Sequence, residues 1–275
     1  PAMTIASLFT KGRGSYVCVL NDQEEAGYFY HDLMQLTASN EVYFFPSAYR
    51  RAIKYGHVDP ANEILRTEVL SRLQDPDASF VIVTYPDALA ERVVAREVLK
   101  ENTLKISVGE KLDNMFVSDV LDEYGFEQVD YVYEPGQYAL RGSILDVFSF
   151  SYEFPYRIDF FGDEVDSIRR FNISSQLSAD KLDRVEIIPN LNAGDGAAKV
   201  SFVQFAGDAA AYWFYDADYV LRRVNDIRRK TLADMERPEE IDRLMTSRNA
   251  LLGDLANCRM LALRDNLPER PATAA

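Results

Sequence analysis

The chain has 275 residues, a length that accommodates two domains and buries roughly 70–75% of its unfolded surface without disulfides or metals. Its 47% hydrophobic and 27% charged content is that of a soluble globular protein. No apolar run approaches the ~18–20 residues of a membrane span, and the start lacks a signal-peptide layout, so a cytoplasmic protein is expected. The net charge of −14 disfavours intrinsic DNA binding, which needs a basic face, although Arg222-Arg223 and Arg228-Arg229-Lys230 cluster locally.

The chain opens in a helix running to Phe9. Tyr16–Leu20 is an apolar, β-branched run in which Cys18 reads as a buried thiol, consistent with a reducing compartment. Asp22-Gln23-Glu24-Glu25 then forms a capping-box arrangement before a helix through Tyr28, Phe29 and Leu33. Val42–Phe45 is a second strand, 61–73 a helix with Ile64, Leu65, Val69, Leu70 and Leu73 on one face, and Phe80–Thr84 a third strand. Strands apolar on both faces and separated by helices predict a parallel sheet covered on both sides. Residues 86–99 are expected to continue as helix, 104–108 as an extended segment, and 112–124 as a helix closed by Gly125.

From Val129 the period changes to two, which predicts an antiparallel sheet. Phe161-Gly162-Asp163-Glu164 reads as a tight hairpin turn, with glycine supplying a positive φ. Gly142 suggests a bulge that re-aims Arg141. The fold expected is α/β: a parallel-sheet domain over 1–103 and 191–275, carrying an inserted, smaller α+β domain over 104–190. The segment 212–220 reads as a strand returning to the first sheet. Residues 222–263 read as helix interrupted at Pro238, and 271–275 as disordered.

No G-x-x-x-x-G-K-[ST] loop is present to cradle phosphates. Lys11-Gly12-Arg13-Gly14-Ser15 precedes a strand instead of following one, and reads as a turn. His31 and His57 have no partners at ligand spacing, and the carboxylate pairs read as solvated surface. Neither ATP hydrolysis nor any cofactor or metal is therefore expected of these residues. The hairpin is different. Alternation puts Tyr156, Ile158 and Phe160 on a core face and Arg157, Asp159 and Phe161 on the other. An Arg157–Asp159 surface pair beside a half-buried Phe161 is the plain account. If Arg141 joins that face, Arg141, Arg157 and Phe161 form an arginine–aromatic cluster of the kind that dominates protein interfaces.

The stretch 134–148 carries R-G-x-x-x-D-V-F, and 155–169 carries Y-R-I-D-F-F-G-D-E. Together, at this spacing, they resemble the UvrB-homology region shared by the excision-repair helicase UvrB and the bacterial transcription-repair coupling factors (Mfd). The resemblance is strong over roughly 130–190. It is weaker over 1–129, where Asp22 to Leu33 is similar to the family's D-x-E-E-A-x-x-x-x-x-D-L run, and poor after Asn190. The missing phosphate loop and DNA-clamping hairpin favour the coupling-factor branch. The resemblance implies a degenerate, ATPase-dead helicase-like domain with an inserted UvrA-binding domain, in a full-length protein that is an ATP-dependent DNA translocase. It implies UvrA contacts at Arg141, Arg157 and Phe161, with Asp159, Arg169 and Arg170 as rim contacts. It also implies masking of that face by other domains of the full-length chain, with RNA polymerase and DNA engaged only through other parts. The competing possibility is a fragment of an active UvrB-type ATP-dependent repair helicase, with Lys11 or Arg13 near a nucleotide.

Overall fold

The computed structural model describes residues 1–12, 14–37, 41–49, 59–191, 197–207 and 210–262. They fall into two compact units, Pro1–Ala95 with Ala198–Ala275, and Arg96–Ala197. His57, Arg13 and the terminal 271–275 lie outside the described residues.

The first unit opens with α1 (Ala2–Gly12) and β1 (Ser15–Val19). Asp22 starts α2 (Gln23–Thr37) by accepting from the backbone N–H groups of Glu24 and Glu25 at 2.9 and 3.0 Å, which supplies partners the first turn cannot. β2 (Val42–Phe44) leads to α3 (Pro60–Arg72), capped by the Asp59 carboxylate and begun with proline at its first position. Every residue of β3 (Val81–Thr84) is buried.

The helix expected over 86–99 is interrupted. α4 (Pro86–Ala90) stops at Glu91, whose backbone turns extended, and β4 (Val93–Val94) separates it from α5 (Arg96–Glu101). The cause is the Glu91 carboxylate, which is buried and taken up by Arg66 at 3.0 Å, by the Ala48 N–H at 2.9 Å and by the Ser47 hydroxyl. The Arg66 guanidinium also lies 4.4 Å from the Phe45 ring centre. A buried charge keeps its place only with such partners, and reaching them overrides the local preference for helix.

The second unit continues with β5 (Leu104–Ser107) and α6 (Asn114–Glu123), capped by Asp113 and followed by Gly125 at φ 74°. Then come β6 (Glu127–Gln128), β7 (Gln137–Arg141), β8 (Ile144–Val147), β9 (Tyr156–Phe161), β10 (Glu164–Phe171), β11 (Ser178–Leu182) and β12 (Arg184–Ile187). They form a six-stranded sheet in the order β11-β10-β9-β8-β7-β6 and a two-stranded one of β12 and β5. The six-stranded sheet is antiparallel except where β6 meets β7. Its inner face, with Tyr138, Leu145, Val147, Tyr156, Ile158, Phe160, Val165 and Ile168, packs on Val117 and Leu121 of α6. Gly142 does not make a bulge: Arg141 pairs with Ile144, so Gly142 and Ser143 form a two-residue hairpin turn with Gly142 at φ 63°. The irregularities lie instead in β10, between Val165 and Ser167 and between Arg169 and Phe171.

The chain returns to the first unit through β13 (Lys199–Val200), which pairs with β4, and α7 (Phe202–Ala206). β14 (Ala210–Phe214) pairs parallel with β1 but ends well short of residue 220, because Asp216 caps α8 (Ala217–Asp234). A 3-10 turn at Pro238–Glu240, α9 (Ile241–Leu244) and α10 (Arg248–Leu255) follow. The expectation of helix to 263 is corrected at its end, where β15 (Arg259–Ala262) pairs with β14. The result is a five-stranded sheet, β15-β14-β1-β3-β2, parallel at every pairing. Leu33, Phe29 and Ile5 pack with Trp213 and Tyr85, and the Phe29 and Trp213 rings stack 5.6 Å apart. This is the α/β class expected, with a parallel five-stranded sheet in one unit and a largely antiparallel six-stranded one in the other.

Candidate functional site

In the second unit, register fixes which side chains share the outer sheet face. Ala139 is opposite Asp146, Asp146 opposite Arg157, and Arg157 opposite Arg169; Ile144, the partner of Arg141, is opposite Asp159. Laterally paired residues point the same way. Arg141, Asp146, Arg157, Asp159, Phe161 and Arg169 therefore emerge on the face away from the core.

Asp146 organises that face. Its side chain is 0% exposed, yet it carries a carboxylate. Oδ1 accepts from Arg157 Nε at 2.7 Å and Oδ2 from Arg157 Nη2 at 2.8 Å, a fork-on-fork pair, and Oδ2 also accepts from Arg141 Nη2. Arg141 is tied at its other nitrogen to the Asp130 carbonyl at 2.8 Å, with its guanidinium 5.5 Å from the Tyr131 ring centre. Arg157 reaches the Gln176 carbonyl at 3.3 Å and lies over Phe171, 4.7 Å from its centre. The hydrogen bonds that Arg157 donates to Asp146 hold its charge more firmly and push its pKa up. The Arg157 side chain is 18% exposed and that of Arg141 37%.

Phe161 stands apart. It ends β9 beside the Gly162 turn and is 82% exposed, the most exposed of the large hydrophobic side chains described. Gly162 at φ 66° makes the turn that holds it there, and no neighbouring atom would meet a Cβ at that position. Asp159 does not pair with Arg157, as the plain account of the hairpin supposed. It accepts from Arg169 and from Ser167 Oγ at 3.1 Å, so Arg169 belongs to this face. Arg170 does not. It is opposite Tyr156, a core-face residue, and lies 4.5 Å from the Tyr152 ring centre. Sequence reasoning passed over Asp146, Phe171 and Gln176. For Asp146 a signal was present: a carboxylate between Leu145 and Val147, in the strand joined to Arg141 by a tight turn.

Among the described residues of the first unit no comparable exposed cluster is present. Arg223, Arg228 and Arg229 of α8 each lie beside a carboxylate, Asp87 at 3.8 Å, Asp242 at 2.6 Å and Asp226 at 3.1 Å. His31 bonds to Gln35 at 2.9 Å. Among the described residues no group of three or more His, Cys, Asp or Glu is arranged to hold a metal ion, and no helix is long and apolar enough to cross a membrane. Cys18 and Cys258 are buried thiols.

Residues 104–192 match the UvrB interaction domain. The chain is 28% identical over 189 residues to the transcription-repair-coupling factor of Escherichia coli, covering 68% of this chain and 16% of that protein. It is 30% identical over 192 residues to that of Haemophilus influenzae, again 68% and 16%, and 32% identical over 159 residues to that of Bacillus subtilis, 58% and 13%. The chain thus spans about one sixth of the length of these relatives. Residues 104–192 are similar to the UvrB interaction domain, in a chain that resembles the transcription-repair-coupling factors over about two thirds of its length.

Proposed function

We propose that this chain is a non-catalytic recruitment module of transcription-coupled repair and docks UvrA through the outer face of the six-stranded sheet. The observation that carries the proposal is Phe161, a phenylalanine 82% exposed on the same face as two arginines fixed on a buried carboxylate. An exposed aromatic beside oriented guanidinium groups is the composition of an interface hot spot. The domain match over 104–192 and the coupling-factor relatives support this choice of partner. Phe161 would be the desolvated anchor and Arg141 the chief polar contact, its remaining N–H groups meeting carboxylates of UvrA. Arg157, deeper in the face, would contact UvrA with its outer edge, and Asp159 with Arg169 would form the rim.

In this account residues 104–190 are the docking domain, inserted into a degenerate helicase-like domain made of 1–103 and 191–275. The full-length protein would be a cytoplasmic ATP-dependent DNA translocase that meets RNA polymerase and DNA through its other parts. Those other domains would mask the same face until it is needed, so UvrA would bind this chain more tightly than the full-length protein. Calorimetric titration of the chain into purified UvrA, without nucleotide, tests the proposal. Saturable binding is expected, and its absence at tens of micromolar protein would overturn it.

A further inference from the structure

We infer that Asp146 is the positioning residue of the docking face, holding Arg141 and Arg157 in the orientation in which they meet UvrA. The inference rests on the docking function proposed above. Asp146 lies in β8, between the strands that carry the two arginines, and paired register brings all three to one face. Its carboxylate is fully enclosed and bonds both guanidinium groups, using both oxygens for Arg157 and one of them also for Arg141. Each arginine is then fixed a second time, Arg141 by the Asp130 carbonyl and Arg157 by the Gln176 carbonyl and the Phe171 ring. Long arginine side chains ordinarily lose rotamer freedom when a partner binds. Here that ordering is complete before UvrA arrives, which favours association. One carboxylate among two guanidinium groups also leaves one net positive charge on this part of the face, suited to an acidic patch on the partner.

The sign of one substitution separates positioning from charge alone. Asp146→Asn makes the face more positive, so an electrostatic attraction to acidic residues would strengthen binding. Loss of positioning weakens it instead, by about tenfold or more, because charge-assisted bonds that oriented both arginines are gone. Asp146→Glu keeps every charge but moves the carboxylate by a methylene, and it is expected to weaken binding as well. The experiment measures the Kd of both variants for purified UvrA under conditions where circular dichroism shows them fully folded, so that a merely stabilising role leaves the Kd unchanged. In parallel, NMR follows the side-chain Nε–H signal of Arg157, which should exchange slowly in the parent and rapidly in Asp146→Asn. If Asp146→Asn does not fold, Asp146→Glu decides. Variants that bind as tightly as the parent, while Phe161→Ala still loses affinity, overturn the role of Asp146 and leave docking by this face standing. A parent that does not bind UvrA overturns both.

Discussion

Replacing Phe161 by alanine removes a ring that touches little of its own fold. Since the residue is 82% exposed, the unbound protein should scarcely register the change, and surface substitutions of this kind shift stability by less than about 0.5 kcal/mol. A partner that covers the ring gains nearly its whole burial energy. Burying a phenylalanine side chain is worth about 1.5–3 kcal/mol, and the high exposure puts Phe161 in the upper half of that range. The expected loss is about 2–3 kcal/mol, or roughly 30- to 150-fold in Kd for UvrA. Calorimetric titrations of parent and Phe161→Ala, paired with urea unfolding, read both quantities. Binding within twofold of the parent would refute the anchor role; a large fall in the urea midpoint would refute the independence of Phe161 from the fold.

Arg157→Ala should behave in the opposite way, because it leaves the enclosed Asp146 carboxylate with Arg141 as its remaining ion partner. A loss of about 2–4 kcal/mol of stability is expected from urea unfolding, and a midpoint equal to the parent's would contradict it. Gly162→Ala places a Cβ on backbone at φ 66° and should cost about 1–2 kcal/mol; because open space surrounds that position, strain alone is measured. Burial pushes the Tyr85 phenol up to about 12, above its unfolded value near 10. The unfolded chain therefore releases this proton first, and stability complete below pH 10 is lost as pH rises towards 12. Tyr85→Phe should flatten that part of a urea-midpoint profile, and an unchanged slope would count against it. Burial also pushes the Cys18 thiol well above its ordinary range, so a thiol reagent at pH 8 should leave Cys18 and Cys258 unmodified until the protein unfolds.

Local pattern carried a good part of this structure. The period-two run Tyr156 to Phe161 revealed both sheet faces, and with them the outward placement of Arg157, Asp159 and Phe161. Gly162 announced its turn, and Asp22 its helix. What stayed illegible depends on partners distant in sequence. Glu91 ends a helix because Arg66 and Ser47 wait in the core, and nothing between 86 and 99 says so. β15 becomes a strand because β14 offers an open edge. The role of Asp146 needs two arginines from neighbouring strands, one of them across the non-local pairing of β8 with β9. The placement of Arg170 was illegible for a related reason, since register with Tyr156 sends it to the other side of the sheet.

The central claim, that the outer face of the second unit meets UvrA, is tested most directly by photo-crosslinking. A photoreactive phenylalanine analogue is placed at Phe161 in one sample and at Tyr28 in another, an exposed aromatic of α2 in the first unit. Each is illuminated with purified UvrA. The account predicts a covalent adduct from position 161 and none from position 28. An adduct from position 28, with none from 161, would contradict it.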